Sequence, residues 1–88
     1  MFRLWGRILQ NHHMCKEIVI TDGSSDSRTA KVVHAVTAIC REFDLAEPIW
    51  LDSNIREFQQ RSRTRFGRDH FIESIDFDFF EISILEED

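Results

Sequence analysis

Long apolar runs are missing from this chain. None approaches the roughly 18–20 residues that cross a bilayer as a helix, so no segment reads as membrane-spanning. The opening stretch, MFRLWGRILQ, has arginines spread through it, with neither a long apolar core nor a small-residue cleavage site. It does not read as a secretory leader. Cysteine is scarce: Cys15 and Cys40 are the only two, which excludes a disulfide framework and fits a cytoplasmic protein with reduced thiols. The three glycines do not form the pattern of a phosphate-cradling loop. Internal repeats and low-complexity tracts are also missing, and residues 69–88 contain no Lys or Arg.

What remains is the material of one domain spanning residues 1–88. A chain this short buries only about 60–65% of its unfolded surface, so its stability margin is thin. Eight Phe and two Trp compensate, since each large aromatic buries roughly 150–250 Å². Hydrophobic residues make up 42% and charged residues 31%, a balance that argues for a folded globule rather than a disordered chain.

The net charge of −5 works against non-specific nucleic-acid binding by the whole molecule. Its layout is uneven. Residues 1–55 carry six basic and seven acidic side chains, residues 56–68 five arginines and one glutamate, and residues 69–88 eight acids. A block of net +4 therefore adjoins a block of net −8.

FRLWGRIL (2–9) and CKEIVIT (15–21) are rich in aromatic and β-branched residues and read as a hairpin, with Asn11, His12 and His13 as its polar turn. Gly6, in mid-strand, marks a bulge or a close backbone approach. DGSSDS (22–27) ends in helix N-caps. A helix follows from Arg28 to Phe43, with Val32, Val36, Ile39 and Phe43 as its core stripe and Val33 and Cys40 beside them. Lys31, His34 and Arg41 fall on the wet face. Pro48 ends helical geometry at Glu47, and PIWL (48–51) plugs the core. Asn54 and Glu57 have capping-box spacing, so a second helix starts there with Ile55 and Phe58 inward, and its end is not defined.

FIESIDFDFFEISIL (71–85) alternates like a half-buried strand, but the phase flips at Phe79–Phe80. A β-bulge there would keep Ile75, Phe77, Phe79, Phe80, Ile82 and Ile84 on one face, and Asp76, Asp78, Glu81 and Ser83 in an outward row. The expected fold is α+β, β-β-α-α-β, a three-stranded antiparallel sheet in the order 2-1-3 with two helices on one face.

The run RTAKVVHAVTAICREFDLAEPIWLDSNIREFQQRSRTRF followed by DHFIESIDFDFFEISILEED resembles a family of small uncharacterised proteins from Clostridia and related Firmicutes. The resemblance covers roughly residues 28–88, and PIWL, TRF and IDFD are its most distinctive pieces. It implies a bacterial, cytoplasmic, single-domain protein and carries over no catalytic residue.

Several clusters suggest chemistry. His12, His13 and Cys15 share a turn and offer imidazole and thiolate to a transition metal, but a structural zinc site wants four ligands and no second cluster exists. The balance favours a polar turn without metal. TDGSSDS precedes a helix N-terminus, where amides can hold phosphate, yet Asp22 and Asp26 would repel an anion. Asp76, Asp78 and Glu81 have a spacing that suits paired carboxylates, but nothing indicates a pocket to tune them. Neither cysteine has a placeable His and carboxylate. No enzyme and no cofactor is expected.

RSRTRF with Arg68 could hold phosphates, with Phe66 free to stack on a base. Against that stand the net charge, the absence of lysine there and the acidic segment that follows. The favoured reading is a protein–protein interaction module, pairing with a protein partner or with itself, without membrane association. In that reading Arg61, Arg63, Arg65 and Arg68 serve Asp76, Asp78 and Glu81, in the same chain or a neighbouring copy, whether the arginine segment is helical or extended. A nucleic-acid binder using residues 61–68 is the alternative.

Overall fold

The computed structural model describes residues 1–87. Strands β1 (Phe2–Gln10) and β2 (His13–Asp22) form the expected hairpin. Asn11 and His12 carry φ of 52° and 67°, the paired left-handed geometry of a two-residue turn whose twist matches that of the strands. Helix α1 (Arg28–Glu42) starts on Ser27, whose hydroxyl accepts from the Ala30 amide at 3.2 Å. It ends with Asp44 in the left-handed region at φ 52°. There the Leu45 amide donates to the Cys40 carbonyl at 2.8 Å, and the Asp44 amide to Arg41 at 3.2 Å.

Helix α2 (Asp52–Arg61), the short strand β3 (Arg63–Phe66), a 3₁₀ turn (Arg68–His70) and strand β4 (Phe79–Glu86) follow. The sheet is fully antiparallel in the order β2-β1-β4-β3. It therefore has four strands rather than three. The added strand comes from the arginine stretch: Thr64 and Phe66 turn inward while Arg63 and Arg65 turn outward, the period-two signature of a half-buried strand.

Phe2, Leu4 and Ile8 of β1 join Phe66, Phe80 and Ile82 in one core with Val32, Ala35, Val36 and Ile39 of α1 and Phe58 of α2. Trp50, from the PIWL connector, packs edge-on against both Phe58 and Phe66 at 5.6 and 5.2 Å. Gly6 is a close approach and not a bulge, because the register runs straight through it to Ile18 and Ile82. A Cβ there would lie 2.7 Å from Ile39 Cδ1 and 3.0 Å from its Cγ2.

The last strand differs from its sequence reading. Residues 71–78 lie outside the sheet, and β4 begins at Phe79. No bulge occurs at Phe79–Phe80, where the ladder continues evenly opposite Leu9 and Ile8. Phe71 and Phe77 are buried from this irregular segment, in edge contact with each other at 6.0 Å, so their alternation reflects anchoring without a ladder. The register breaks lie elsewhere: Cys15 is the extra residue in β2, and Leu85 the extra residue in β4. In the expected order 2-1-3 the final strand would be an edge, whereas β1 and β3 flank it on both sides.

Two further expectations are corrected. Lys31 is buried and Val33 is exposed, the reverse of their assigned faces, because α1 seats Lys31, Ala35 and Ile39 along the same inward line. Asn54 is not the N-cap. It sits at the third position of α2, and its Oδ1 accepts from the Leu51 amide at 3.0 Å.

Candidate interaction surface

The helices cover one face of the sheet and leave the other open. Strand alternation decides what that open face carries. On β1 it is Arg3, Trp5, Arg7 and Leu9, because Phe2, Leu4 and Ile8 go inward. The register then builds rows across the strands. Val19, Trp5, Ser83 and Arg63 form one, Glu17, Arg7, Glu81 and Arg65 the next, and Met14, Leu9 and Phe79 the third.

The middle row organises the surface. Glu81 is only 5% exposed although it points away from the core, because two arginines cover it. Its Oε2 accepts from Arg65 Nε at 3.1 Å and Nη2 at 2.7 Å, and its Oε1 pairs with Arg7 Nη2. Charge-assisted bonds of this kind are about twice as strong as neutral ones. Each guanidinium also lies over a ring: Arg7 over Trp5 at 4.3 Å, Arg65 over Phe79 at 4.8 Å. Trp5 Nε1 donates to Glu17 Oε1 at 3.0 Å. Both aromatic rings and both guanidinium groups are thus held in place by partners within the sheet.

Asn54 supports the β3 end from the helix side. Its Nδ2 donates to Thr64 Oγ1 at 2.9 Å and to the Arg65 carbonyl at 3.1 Å, which fixes the backbone beneath the Arg65 side chain. Behind β3, Ser62 adopts a left-handed turn at φ 57° and its carbonyl accepts from the Ile84 amide at 2.8 Å.

Of the residues singled out from the sequence, the structure brings Arg65 and Glu81 together. Arg63 lies on the same face, opposite Ser83. Arg61 is the exposed last residue of α2, and Arg68 is exposed in the 3₁₀ turn. Asp76 is exposed in the irregular segment, while Asp78 Oδ2 accepts from the Asn11 amide at 2.8 Å and ties that segment to the hairpin turn. Asp76, Asp78 and Glu81 therefore form no common row. Trp5 and Arg7 were missed, and Phe79, expected on the core face, lies on the open face because β4 begins at Phe79 with no bulge to turn it inward. The alternation of FRLWGRIL against its inward apolar residues was the signal that could have found Trp5 and Arg7.

His12 lies in the turn, and His13 and Cys15 lie at the start of β2. The Cys15 thiol faces the His13 carbonyl at 3.8 Å and Gln10 Oε1 at 4.0 Å. Among the described residues, no group of three or more His, Cys, Asp or Glu side chains converges as metal ligands would. In the DGSSDS loop, hydrogen bonds from Ser24, including its amide at 2.8 Å, hold the Asp22 carboxyl below the ordinary carboxylate range. Cys40 is the opposite case: burial, with a smaller contribution from Glu47, pushes its thiol up to about 12.

Fold and surface together define a two-layer α+β protein whose helix-free sheet face carries an aromatic–arginine lattice. No known family model, curated protein or solved structure matches the chain. No described helix is long and apolar enough to cross a membrane.

Proposed function

We propose that the protein is a non-catalytic, cytoplasmic protein-interaction module whose contact surface is the open face of the sheet. One observation carries the reading. Trp5, Arg7, Arg65 and Phe79 stand together on a face that no element of the described residues covers, each already fixed by a partner. Trp and Arg dominate binding energy at interfaces, and side chains immobilised beforehand lose little entropy on association. The fitting partner presents apolar surface to Trp5 and Phe79, with carboxylates at the rim for Arg3 and Arg63. The cytoplasmic setting is supported by two free thiols. The resemblance to small clostridial proteins would imply a bacterial origin and assigns no activity.

A nucleic-acid reading has its own supporting observation, since arginines and aromatics share one four-stranded face. Stacking needs free ring faces. Here a guanidinium occupies one side of each ring, Glu81 sits between the two arginines, and Glu17 flanks Arg7 on its other side. Protein binding is therefore the better fit.

The test uses tagged full-length chain expressed in its host, with Trp5→Ala, Phe79→Ala and, on the helical side, Val33→Lys, each checked for folding by circular dichroism. The reading expects a stoichiometric protein partner lost with the first two variants and kept with the third. A partner indifferent to Trp5 and Phe79 contradicts it. So does single-stranded RNA binding that falls steeply with salt and is lost in those same variants.

A further inference from the structure

Strand β2 ends the sheet with β1 as its single neighbour. No loop or helix among the described residues bonds the outward backbone of Lys16–Thr21. Natural edges are usually shortened or bulged against pairing. The bulge in β2 sits at Cys15, near its start, and the run Lys16–Asp22 beyond it follows β1 without interruption.

That run has a defined sidedness. Lys16, Ile18, Ile20 and Asp22 oppose Ile8, Gly6, Leu4 and Phe2 and lie on the helix side. Glu17, Val19 and Thr21 oppose Arg7, Trp5 and Arg3 and lie on the open side. Ile18 and Ile20 are only half-buried at the margin of the core, and Val19 is 38% exposed. The edge thus exposes apolar surface as well as unpaired backbone.

The sequence of the edge complements itself in one register. A two-fold axis normal to the sheet keeps both helical layers on one side and pairs residues of the same side. Centred on Val19, it places Val19 against Val19 of a second copy, Ile18 against Ile20, Glu17 against Thr21, and Lys16 against Asp22. Each neighbouring register spoils this match. Centring on Ile18 sets Lys16 against Ile20 and Glu17 against Val19. Centring on Ile20 sets Asp22 against Ile18, and centring on Glu17 opposes two glutamates.

We propose that β2 is a self-association edge, joining two copies of this chain antiparallel about Val19 into one continuous eight-stranded sheet, with Lys16–Asp22 pairs closing both ends. Asp22 is held for this role by the Ser24 amide at 2.8 Å. The two open faces then lie side by side. This pairing is independent of the partner reading above, because it uses the edge and not the face. A contact confined to one strand pair is small, so the dimer belongs to the transient class, with a dissociation constant on the order of micromolar.

The experiment is native mass spectrometry and light scattering on purified full-length chain, with Lys16→Asp, Asp22→Lys and the double swap. Each single change places like charges across both ends of the dimer and should weaken it about tenfold. The double swap should restore it. An equimolar mixture of the two single variants should form a heterodimer, because every acidic end then meets a lysine. A chain that stays monomeric up to about 1 mM overturns the proposal. A dimer indifferent to either single change, or one weakened by both and rescued by neither the swap nor the mixture, also overturns it.

Discussion

Arg65 reaches across the β3–β4 register and places Nε and Nη2 at 3.1 and 2.7 Å from one oxygen of Glu81, leaving the other oxygen to Arg7. Among the described residues, the arginine block meets the acidic block that follows it in sequence through a single glutamate. Glu81 also recruits an arginine from the far end of the chain. Three strands are cross-linked at one carboxylate whose side chain is 6% exposed.

Removing that carboxylate leaves Arg7 and Arg65 facing each other without a counter-charge. Glu81→Gln should cost about 2–3 kcal/mol in urea unfolding, toward the low end for a broken buried pair because Arg65 can turn to solvent. Arg65→Ala, removing a half-exposed partner, should cost at most about 1 kcal/mol. Equal costs would show that Glu81 is not the organising member.

Asn54 ties the start of α2 to β3 through the Leu51 amide, Thr64 and the Arg65 carbonyl. Asn54→Ala leaves buried polar groups without partners and should cost about 2–3 kcal/mol, measured as a lowered urea midpoint at unchanged slope. Amide exchange should rise first at β3. A loss confined to α2 would break the proposed link between helix and strand.

The facing of α1 makes a sharper contrast. Val36→Asp or Ile39→Asp places an uncompensated charge in the core and should unfold the domain, given the roughly 5–10 kcal/mol such a chain can have. Lys31→Asp, at a buried position, should cost more than about 2 kcal/mol. Val33→Asp, at an exposed one, should stay within about 0.5 kcal/mol. Thermal melts of the four variants decide it.

Local periodicity made the hairpin and α1 legible, because each has several residues repeating at its own period, whereas the capping-box spacing announced α2 but misplaced its start and turned the exposed Ile55 inward. It failed where tertiary contact overrides local pattern. Ile75 and Phe77 alternate like strand residues but bury themselves from a loop, so period two alone overextended β4. RTRF is too short to stand out as a strand, and only its place beside Ser83–Phe80 makes it one. Val33 borders the apolar stripe of α1 yet faces water, since helix phase is set by what the helix packs on. The site was half legible for the same reason. Charge blocks pointed to Arg65 and Glu81, while Arg7 arrives from residues that are distant in the chain and adjacent only in the sheet.

The two thiols should separate cleanly. Cys15 is exposed, whereas Cys40 is buried with its thiol raised from 9.0 to about 12. At pH 8 one equivalent of a thiol reagent should react quickly, at Cys15, and the second only on unfolding. The raised thiol has a linkage consequence. The folded state keeps that proton where the unfolded state releases it, so this contribution to stability is full below about pH 9 and is lost as pH climbs toward about 12. Cys40→Ala should flatten that alkaline loss.

Oxidative footprinting of Trp5 and Phe79, in the free chain and in the complex isolated from its host, reads directly whether the open face is the contact surface. Binding through the open face predicts strong protection of both rings on complex formation, with Trp50 and Val33 on the helical side unchanged. Unchanged labelling of Trp5 and Phe79, with protection moved to Trp50 and Val33, would contradict it.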